Sequence, residues 1–168
     1  MLYELTVPQS IKMLKNLSTI LGKAALHAET KKFDVQVLLN SRLAPDQLPL
    51  TKQIQIATDT VKLCASRLTG MDAPMHDDKE TTLPELTSRI ESVIQYLGKF
   101  SAKDFVGAED KKISQPRWEG KYLTGTEFAL QHAIPNMYFH ITTAYSILRH
   151  NGIEIGKNDF LGEMPYKK

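Results

Sequence analysis

The sequence contains only one cysteine, Cys64, among its 168 residues. An intramolecular disulfide is therefore excluded, and a packed core rather than cross-links must stabilise the chain. Cys64 lies within the apolar repeat of a predicted helix. We therefore expect a reduced, buried thiol rather than a reactive one.

Long apolar runs are also missing. No segment approaches the roughly 20 consecutive apolar residues that cross a bilayer. The first residues, MLYELTVPQS, have neither the basic stretch nor the apolar stretch of a secretory signal. Together with the single cysteine, these absences predict a cytoplasmic protein with no membrane partner.

Charge of one sign is not concentrated anywhere in the chain. The net charge is +2, and basic residues never run beyond pairs such as Lys111-Lys112. Nucleic-acid binding through phosphates requires a concentrated basic face, so we expect no nucleic-acid partner. Glycine-rich phosphate loops, nucleophile elbows, Cys-x-x-Cys and His-Glu-x-x-His motifs are absent as well.

What the sequence does contain is helical periodicity. Its 42% hydrophobic and 24% charged residues are typical of a globular protein, and its length suits a single domain, residues 1–168. Apolar residues recur every three or four positions in four segments. They run from about Pro8 to Glu29, Pro49 to Leu68, Leu83 to Phe100 and Thr124 to Gly152. The pattern predicts an all-α fold, a four-helix bundle.

Local signals place the ends of these helices. Thr82 with Glu85, and Thr124 with Glu127, have the spacing of a capping box. Pro8 suits a first turn, and Gly152 suits the position after a last turn.

The connections differ in character. A short helix is predicted from Asp34 to Leu39. Between the third and fourth helices, Ile113 and residues 118–123 predict a short extended or hairpin stretch that turns at Glu119-Gly120. The tail after Gly152 is predicted to be extended, with Ile153, Ile155, Phe160 and Leu161 packed on the bundle.

The fourth helix carries the candidate site. On a helical wheel, His140 lies in the middle of an apolar stripe formed by Ala129, Ala133, Met137, Ala144, Ile147 and Leu148. Asn136 lies at the edge of the stripe, and His132 lies on its flank. Pro135 should kink the helix beside Asn136. A buried imidazole needs a hydrogen-bond partner, a metal or a wet cavity, so this row predicts a site.

Other polar residues are weaker candidates. Asp59 falls near the polar side of the second helix, with Gln55, Lys62 and Ser66, and should be solvated. We expect His76 to be exposed in a charged loop and His150 to interact with a helix C-terminus. His27, at the edge of the first apolar stripe, remains ambiguous.

The segment FHITTAYSILRHNG resembles the last bundle helix of the DinB/YfiT-like superfamily. The segments LNSRLAPDQLPL, QIQIATD and AYSILRHNGIEIGKNDFLG resemble an uncharacterised, mainly bacterial family within it, and this likeness covers Tyr3 to Gly162. The resemblance implies a four-helix bundle with an extended or hairpin stretch before the last helix. Members of the superfamily include thiol-dependent transferases and hydrolases with a divalent metal on three histidines.

Only one of those three ligands is present in this sequence. By the resemblance, one histidine falls on His140, its partner falls on Asn136, and the third falls near Asp59 or Thr60. His132 is an alternative donor one turn away. The resemblance thus implies a degenerate site for zinc or nickel, with His140 as its metal ligand.

Three functions therefore remain open. The first, which we favour, is a small-molecule pocket around Asn136 and His140 without metal catalysis. The second is a metal- or thiol-dependent transferase or hydrolase, with His140 as ligand or base and Asp59, His132 or Asn136 assisting. The third is a homodimerisation module in which His140 is a core residue.

Overall fold

The computed structural model describes residues 1–167, and helices dominate it. The longest are α1 (Leu2–Lys31), α3 (Leu50–Thr69) and α4 (Leu83–Leu97). The last helix of the bundle is continuous but has three parts, α5 (Gly125–Glu127), a π-helical segment (Phe128–Ala133) and α6 (Ile134–His150). The short helices are α2 (Gln36–Leu39) and α7 (Lys157–Leu161), with 3₁₀ turns at Ala102–Phe105 and Pro116–Trp118.

The four long helices pack around a shared apolar core, which confirms the predicted all-α bundle. The apolar stripe predicted on α3 is buried, as is the stripe predicted on the last helix. α3 packs mainly against α6, and α1 packs mainly against α4. None of the helices in residues 1–167 has the length and apolar character needed to cross a membrane.

The start of α1 corrects one prediction. The helix begins at Leu2, six residues before Pro8, so Pro8 lies inside the helix rather than in its first turn. Proline there removes one backbone hydrogen bond. Leu2, Thr6 and Val7 are all buried, and their packing offsets that loss.

The end of α4 also differs from the prediction. Both halves of the capping box of Thr82 and Glu85 are present, but the helix ends at Leu97 instead of Phe100. Phe100 leaves the helix and contacts Tyr96 and Phe105, with ring centroids 5.0 Å and 6.0 Å away. Aromatic packing thus determines where the chain turns away from the bundle.

A small hairpin precedes the last helix. Strand β1 (Lys112–Ile113) pairs antiparallel with β2 (Leu123–Thr124). The predicted turn residues Glu119 and Gly120 both have positive φ, 54° and 83°. A Cβ added at Gly125 would lie 1.8 Å from the Ala108 carbonyl oxygen, so only glycine permits this close approach. The segment just before the hairpin therefore lies directly against the start of the last helix.

The last helix contains a wide turn that the sequence pattern did not predict. We predicted that Pro135 kinks the helix beside Asn136. The π-helical segment ends two residues before this proline. The Ile134 N–H bonds the Ala129 carbonyl, five residues back instead of four. π turns often occur at functional sites. Here the turn changes the angular phase of His132 relative to Asn136 and His140.

The tail corrects a further prediction, because it contains helix α7 rather than extended chain alone. Asp159 caps this helix by accepting from the Gly156 N–H at 2.8 Å, and it pairs with Lys23 of α1 at 2.6 Å. As predicted, Ile153 and Ile155 are buried. Phe160 is half-buried, whereas Leu161 is exposed.

Candidate functional site

A pocket of about 460 Å³ opens between α3, the last helix and the loop of the hairpin. It is lined by all five residues predicted for the site, namely Asp59, Thr60, His132, Asn136 and His140, together with Ile56, Leu63, Arg67, Gln115, Pro116, Arg117 and Phe128.

The two helices run antiparallel along the pocket. At one end of the pocket His140 of the last helix faces Gln53 of α3. One turn earlier in the last helix, Asn136 faces Thr60. Arg67 contacts Phe128 at the other end. Thr60 and Arg67 are seven residues apart, so about 10 Å along α3 separates the Asn136 contact from the Arg67 end of the pocket.

His140 is buried, with 8% of its surface exposed. Its Nδ1 lies 2.7 Å from Oε1 of Gln53, and Nε2 of Gln53 donates to the Leu48 carbonyl at 2.8 Å. Because that donation fixes the amide orientation, Oε1 must accept and Nδ1 must carry the hydrogen. Burial lowers the pKa of His140, which favours the neutral ring. The other ring nitrogen, Nε2, then has a free lone pair. It has no hydrogen-bond partner among residues 1–167, and it remains accessible to solvent.

Asn136 is held by a bond to the facing helix. Its Nδ2 donates to Oγ1 of Thr60 at 2.7 Å. Its Oδ1 accepts no hydrogen bond from residues 1–167. The pocket therefore has two free acceptor atoms here, Oδ1 of Asn136 and Nε2 of His140. This end of the pocket is therefore suited to a ligand group that donates hydrogen bonds.

Asp59 keeps about a third of its side chain exposed, at 31%, but it is also ion-paired, which the sequence did not predict. Its Oδ1 pairs with the Arg89 guanidinium at 2.7 Å and with the Lys62 ammonium at 2.8 Å. Lys62 and Gln55 are buried too, at 4% and 1% exposure, although we assigned them to a polar surface. Helical periodicity could not reveal this, because the loop that follows α3, residues 71–80, folds back over that face of the helix.

Two buried cations, Lys62 and Arg89, and three carboxylates that are partly open to solvent, Asp59, Asp78 and Glu80, form what we call the Arg89 cluster. Arg89 pairs with all three carboxylates, at 2.7 Å, 2.6 Å and 3.0 Å. It also donates to Oγ1 of Thr58 at 2.8 Å. Every charge of the cluster thus has a partner of opposite sign, as buried charges require.

His76 corrects another prediction, since it is half-buried against this cluster instead of exposed. Its Nδ1 lies 2.7 Å from Nζ of Lys62. Burial and the nearby Lys62 and Arg89 lower the pKa of His76. The ring therefore accepts from the ammonium group as a neutral imidazole.

His132 lies in the wall of the pocket, stacked on Phe128 with ring centroids 5.3 Å apart. Its Nε2 is 3.1 Å from an amino nitrogen of Arg117, so Nε2 accepts and Nδ1 carries the hydrogen. That Nδ1 is buried without a partner among the described residues. Burial, Arg117 and Arg67 all lower the pKa of His132. The arrangement orients Arg117.

Three functional candidates were missed by sequence reasoning, namely Gln53, Arg67 and Arg117. Arg67 follows Thr60 by seven residues, so helical periodicity places it on the same face and could have identified it. Gln53 precedes Thr60 by seven residues and therefore had the same signal, whereas Arg117 had none. Their roles depend on His140 and on the hairpin, which only the folded chain brings to α3.

The remaining candidates lie elsewhere. Cys64 is buried, as predicted, and burial raises the pKa of its thiol to about 12, so it is unreactive. His27 packs edge-on against Phe33, 5.9 Å away, outside the pocket. His150 is exposed in the last turn of α6, where we expected it.

The residues present do not fit a three-histidine metal centre. Of the corresponding positions, only His140 offers a free nitrogen. Asp59 is already neutralised by two cations, and the Asn136 amide nitrogen is occupied by Thr60. A metal ion beside Asp59 would lie close to Arg89 and Lys62, which repel it. Within residues 1–167, no group of three His, Cys, Asp or Glu side chains converges as a metal site requires.

The domain of unknown function DUF1993 matches residues 2–161. The chain belongs to this family. It is also similar to a DinB family member protein from Shewanella denitrificans whose crystal structure was determined at 1.83 Å resolution. The two share 64% sequence identity and a TM-score of 0.97, over 100% of this chain and 96% of that one. No curated protein matches. The predicted resemblance is thereby confirmed, and the chain is a DinB-like domain of unknown function.

Proposed function

We propose that this protein binds a small molecule in the pocket between α3 and the last helix, without a resident metal ion. The observation that carries the proposal is the orientation of His140. Gln53 holds Nδ1–H, and the opposite nitrogen keeps its lone pair at the pocket. The ring is a fixed, neutral hydrogen-bond acceptor.

The ligand must match that acceptor. His140 Nε2 and Asn136 Oδ1 both accept, so a hydroxyl, amino or thiol group of the ligand would donate to them. A ligand that covers these acceptors without pairing with them would leave them buried and unpaired, which is costly, so a ligand with a donor is selected over one without. The pocket has a volume typical of small-molecule sites.

A second candidate is a hydrolase or transferase in which His140 acts as a general base. The same observation favours it, because an unprotonated Nε2 can take the proton of a bound hydroxyl or thiol. In this case the rate should fall as pH decreases through the pKa of His140, whereas a binding protein shows no turnover.

Binding can be tested with a small-molecule fragment library and two-dimensional NMR. We expect fragments with a hydroxyl, amine or thiol to shift the imidazole signals of His140 and the amide signals of Asn136. His140→Phe should abolish these shifts, because it removes the acceptor while filling similar space. His150→Phe, on the exposed end of the same helix, is the matched control and should bind as the wild type does.

Metal content tests the other half of the proposal. Untagged protein should contain well below stoichiometric zinc, nickel or iron, and added zinc should leave the melting temperature unchanged. Stoichiometric metal that is lost in His140→Ala would overturn the metal-free site. Absence of any fragment that perturbs His140 would overturn ligand binding there.

A further inference from the structure

Two guanidinium groups give the pocket an uncompensated positive charge. Its charged lining residues are Asp59, Arg67 and Arg117. Asp59 is already neutralised by Arg89 and Lys62, at 2.7 Å and 2.8 Å. Neither Arg67 nor Arg117 forms an ion pair with any carboxylate of residues 1–167.

One aromatic pair holds both arginines. The Arg67 guanidinium lies over the ring of Phe128, 5.6 Å from its centroid. Arg117 donates to His132, which stacks on the same Phe128 ring. The two cations are close enough that Arg117 contributes, after burial, to lowering the pKa of Arg67. Two like charges, one on the half-buried Arg67 and one on the exposed Arg117, are thus kept at one end of the pocket, where a bound anion would pair with both.

We propose that Arg67 and Arg117 form an oxyanion-binding subsite, which holds a carboxylate or phosphate group of the pocket's ligand. Planar guanidinium groups bind such oxyanions with two parallel hydrogen bonds. This inference rests on the proposed function, because the rest of the ligand reaches toward Asn136 and His140. The ligand is then a small organic anion, negatively charged at one end and carrying a hydrogen-bond donor at the other.

The arginine side chains themselves provide the readout. Acetate, inorganic phosphate and the uncharged acetamide are titrated at constant ionic strength, and the Nε–Hε signals of both arginines are followed by NMR. We expect acetate or phosphate to shift both signals with saturation in the millimolar range, and acetamide to shift neither. Comparison of the acetate and phosphate titrations then distinguishes a carboxylate ligand from a phosphate ligand.

Variants make the subsite falsifiable. Arg67→Gln and Arg117→Gln should each weaken binding of the preferred anion about tenfold or more. Lys121→Gln, on the same hairpin, and Arg42→Gln, an exposed arginine elsewhere, should leave it unchanged. Arg67→Lys keeps the charge but not the planar fork, and it should bind more weakly than the wild type. Urea unfolding of each variant verifies that it is folded.

The outcomes separate the two proposals. If neutral fragments bind at His140 in every variant while neither anion shifts the arginine signals, the oxyanion subsite is wrong and the proposed function stands. If the double variant Arg67→Gln/Arg117→Gln binds both anions as well as the wild type, the subsite is likewise wrong. If no compound perturbs His140, the proposed function itself fails.

Discussion

Two polar regions meet at α3, and they differ in how their charges are satisfied. In the Arg89 cluster, every cation lies within 3.0 Å of a carboxylate. In the pocket, Arg67 and Arg117 have no such partner among residues 1–167, and His140 presents a nitrogen that none of these residues contacts. Asp59 belongs to both regions but is neutralised by the first. Buried cations that are fully paired support the fold, whereas unpaired polar groups around a pocket indicate a binding site.

The largest effect is expected in the Arg89 cluster. Arg89→Leu removes the cation that pairs with Asp59, Asp78 and Glu80. The three carboxylates then lose their shared partner and repel one another. We expect the free energy of unfolding to fall by about 3 kcal/mol or more, measured by urea denaturation. The exposed Arg42→Leu is the control and should change it little. A loss of less than about 1 kcal/mol would show that the cluster is not structural.

A smaller effect is expected from Gln53→Leu, which removes the support of His140. The Nδ1–H of His140 and the carbonyl of Leu48 both lose their partner, so we expect a loss of about 2 kcal/mol in unfolding free energy. Fragment binding at His140 should weaken as well, because the tautomer is no longer fixed. Gln131→Leu, on an exposed position of the last helix, serves as the comparison. Unchanged ligand binding in Gln53→Leu would contradict the assigned role.

The pH dependence of stability tests the neutral state of His140. Burial holds its pKa below the ordinary value of 6.5, which the unfolded chain keeps. Below about pH 6.5 the unfolded state therefore binds more protons, and stability falls as pH decreases, by at most about 1.4 kcal/mol per pH unit for each such histidine. His132 and His76 act in the same direction.

Urea unfolding across mildly acidic pH measures this slope, and NMR titration assigns it to single imidazoles. His140→Phe should reduce the slope. A stability that stays constant as pH falls to the folded-state pKa of His140 would contradict the buried neutral ring.

The smallest effect is expected from Thr60→Val, which removes the oxygen that accepts from Asn136. Asn136 is half-buried, so solvent replaces part of the lost bond, and we expect a loss of about 1 kcal/mol. The sharper readout is the NMR signal of the Asn136 side-chain amide, which should move and broaden. Thr19→Val, on the exposed side of α1, is the matched control. An unaltered amide signal would show that Thr60 does not orient Asn136.

The sequence predicted most of the bundle because periodicity and capping are local properties. The apolar positions of α3 and of the last helix repeat every three or four residues, and both are buried as predicted. The predictions for Pro8 and for the tail failed where packing overrode local preference. Leu2, Thr6 and Val7 extend α1 past the proline, and an ion pair with Lys23 supports the cap of α7.

The candidate site was only partly predictable for the same reason. Spacing placed His132, Asn136 and His140 on one helix face, and family resemblance directed attention to Asp59 and Thr60. What each side chain does there depends on partners far away in sequence. Asp59, for example, pairs with Arg89 from another helix, 30 positions away, as well as with the nearby Lys62.

By itself, the sequence determined a helical bundle with an inward-facing imidazole, because local periodicity dictates which residues are buried. Tertiary structure alone decided that Gln53 fixes the tautomer of His140 and that Asp59 is ion-paired with Arg89. It also decided that two arginines from α3 and the hairpin, with no carboxylate partner within the described residues, converge on one pocket. Hydrogen bonds and ion pairs depend on distances of a few ångströms between residues up to 87 positions apart, and no local pattern encodes such contacts.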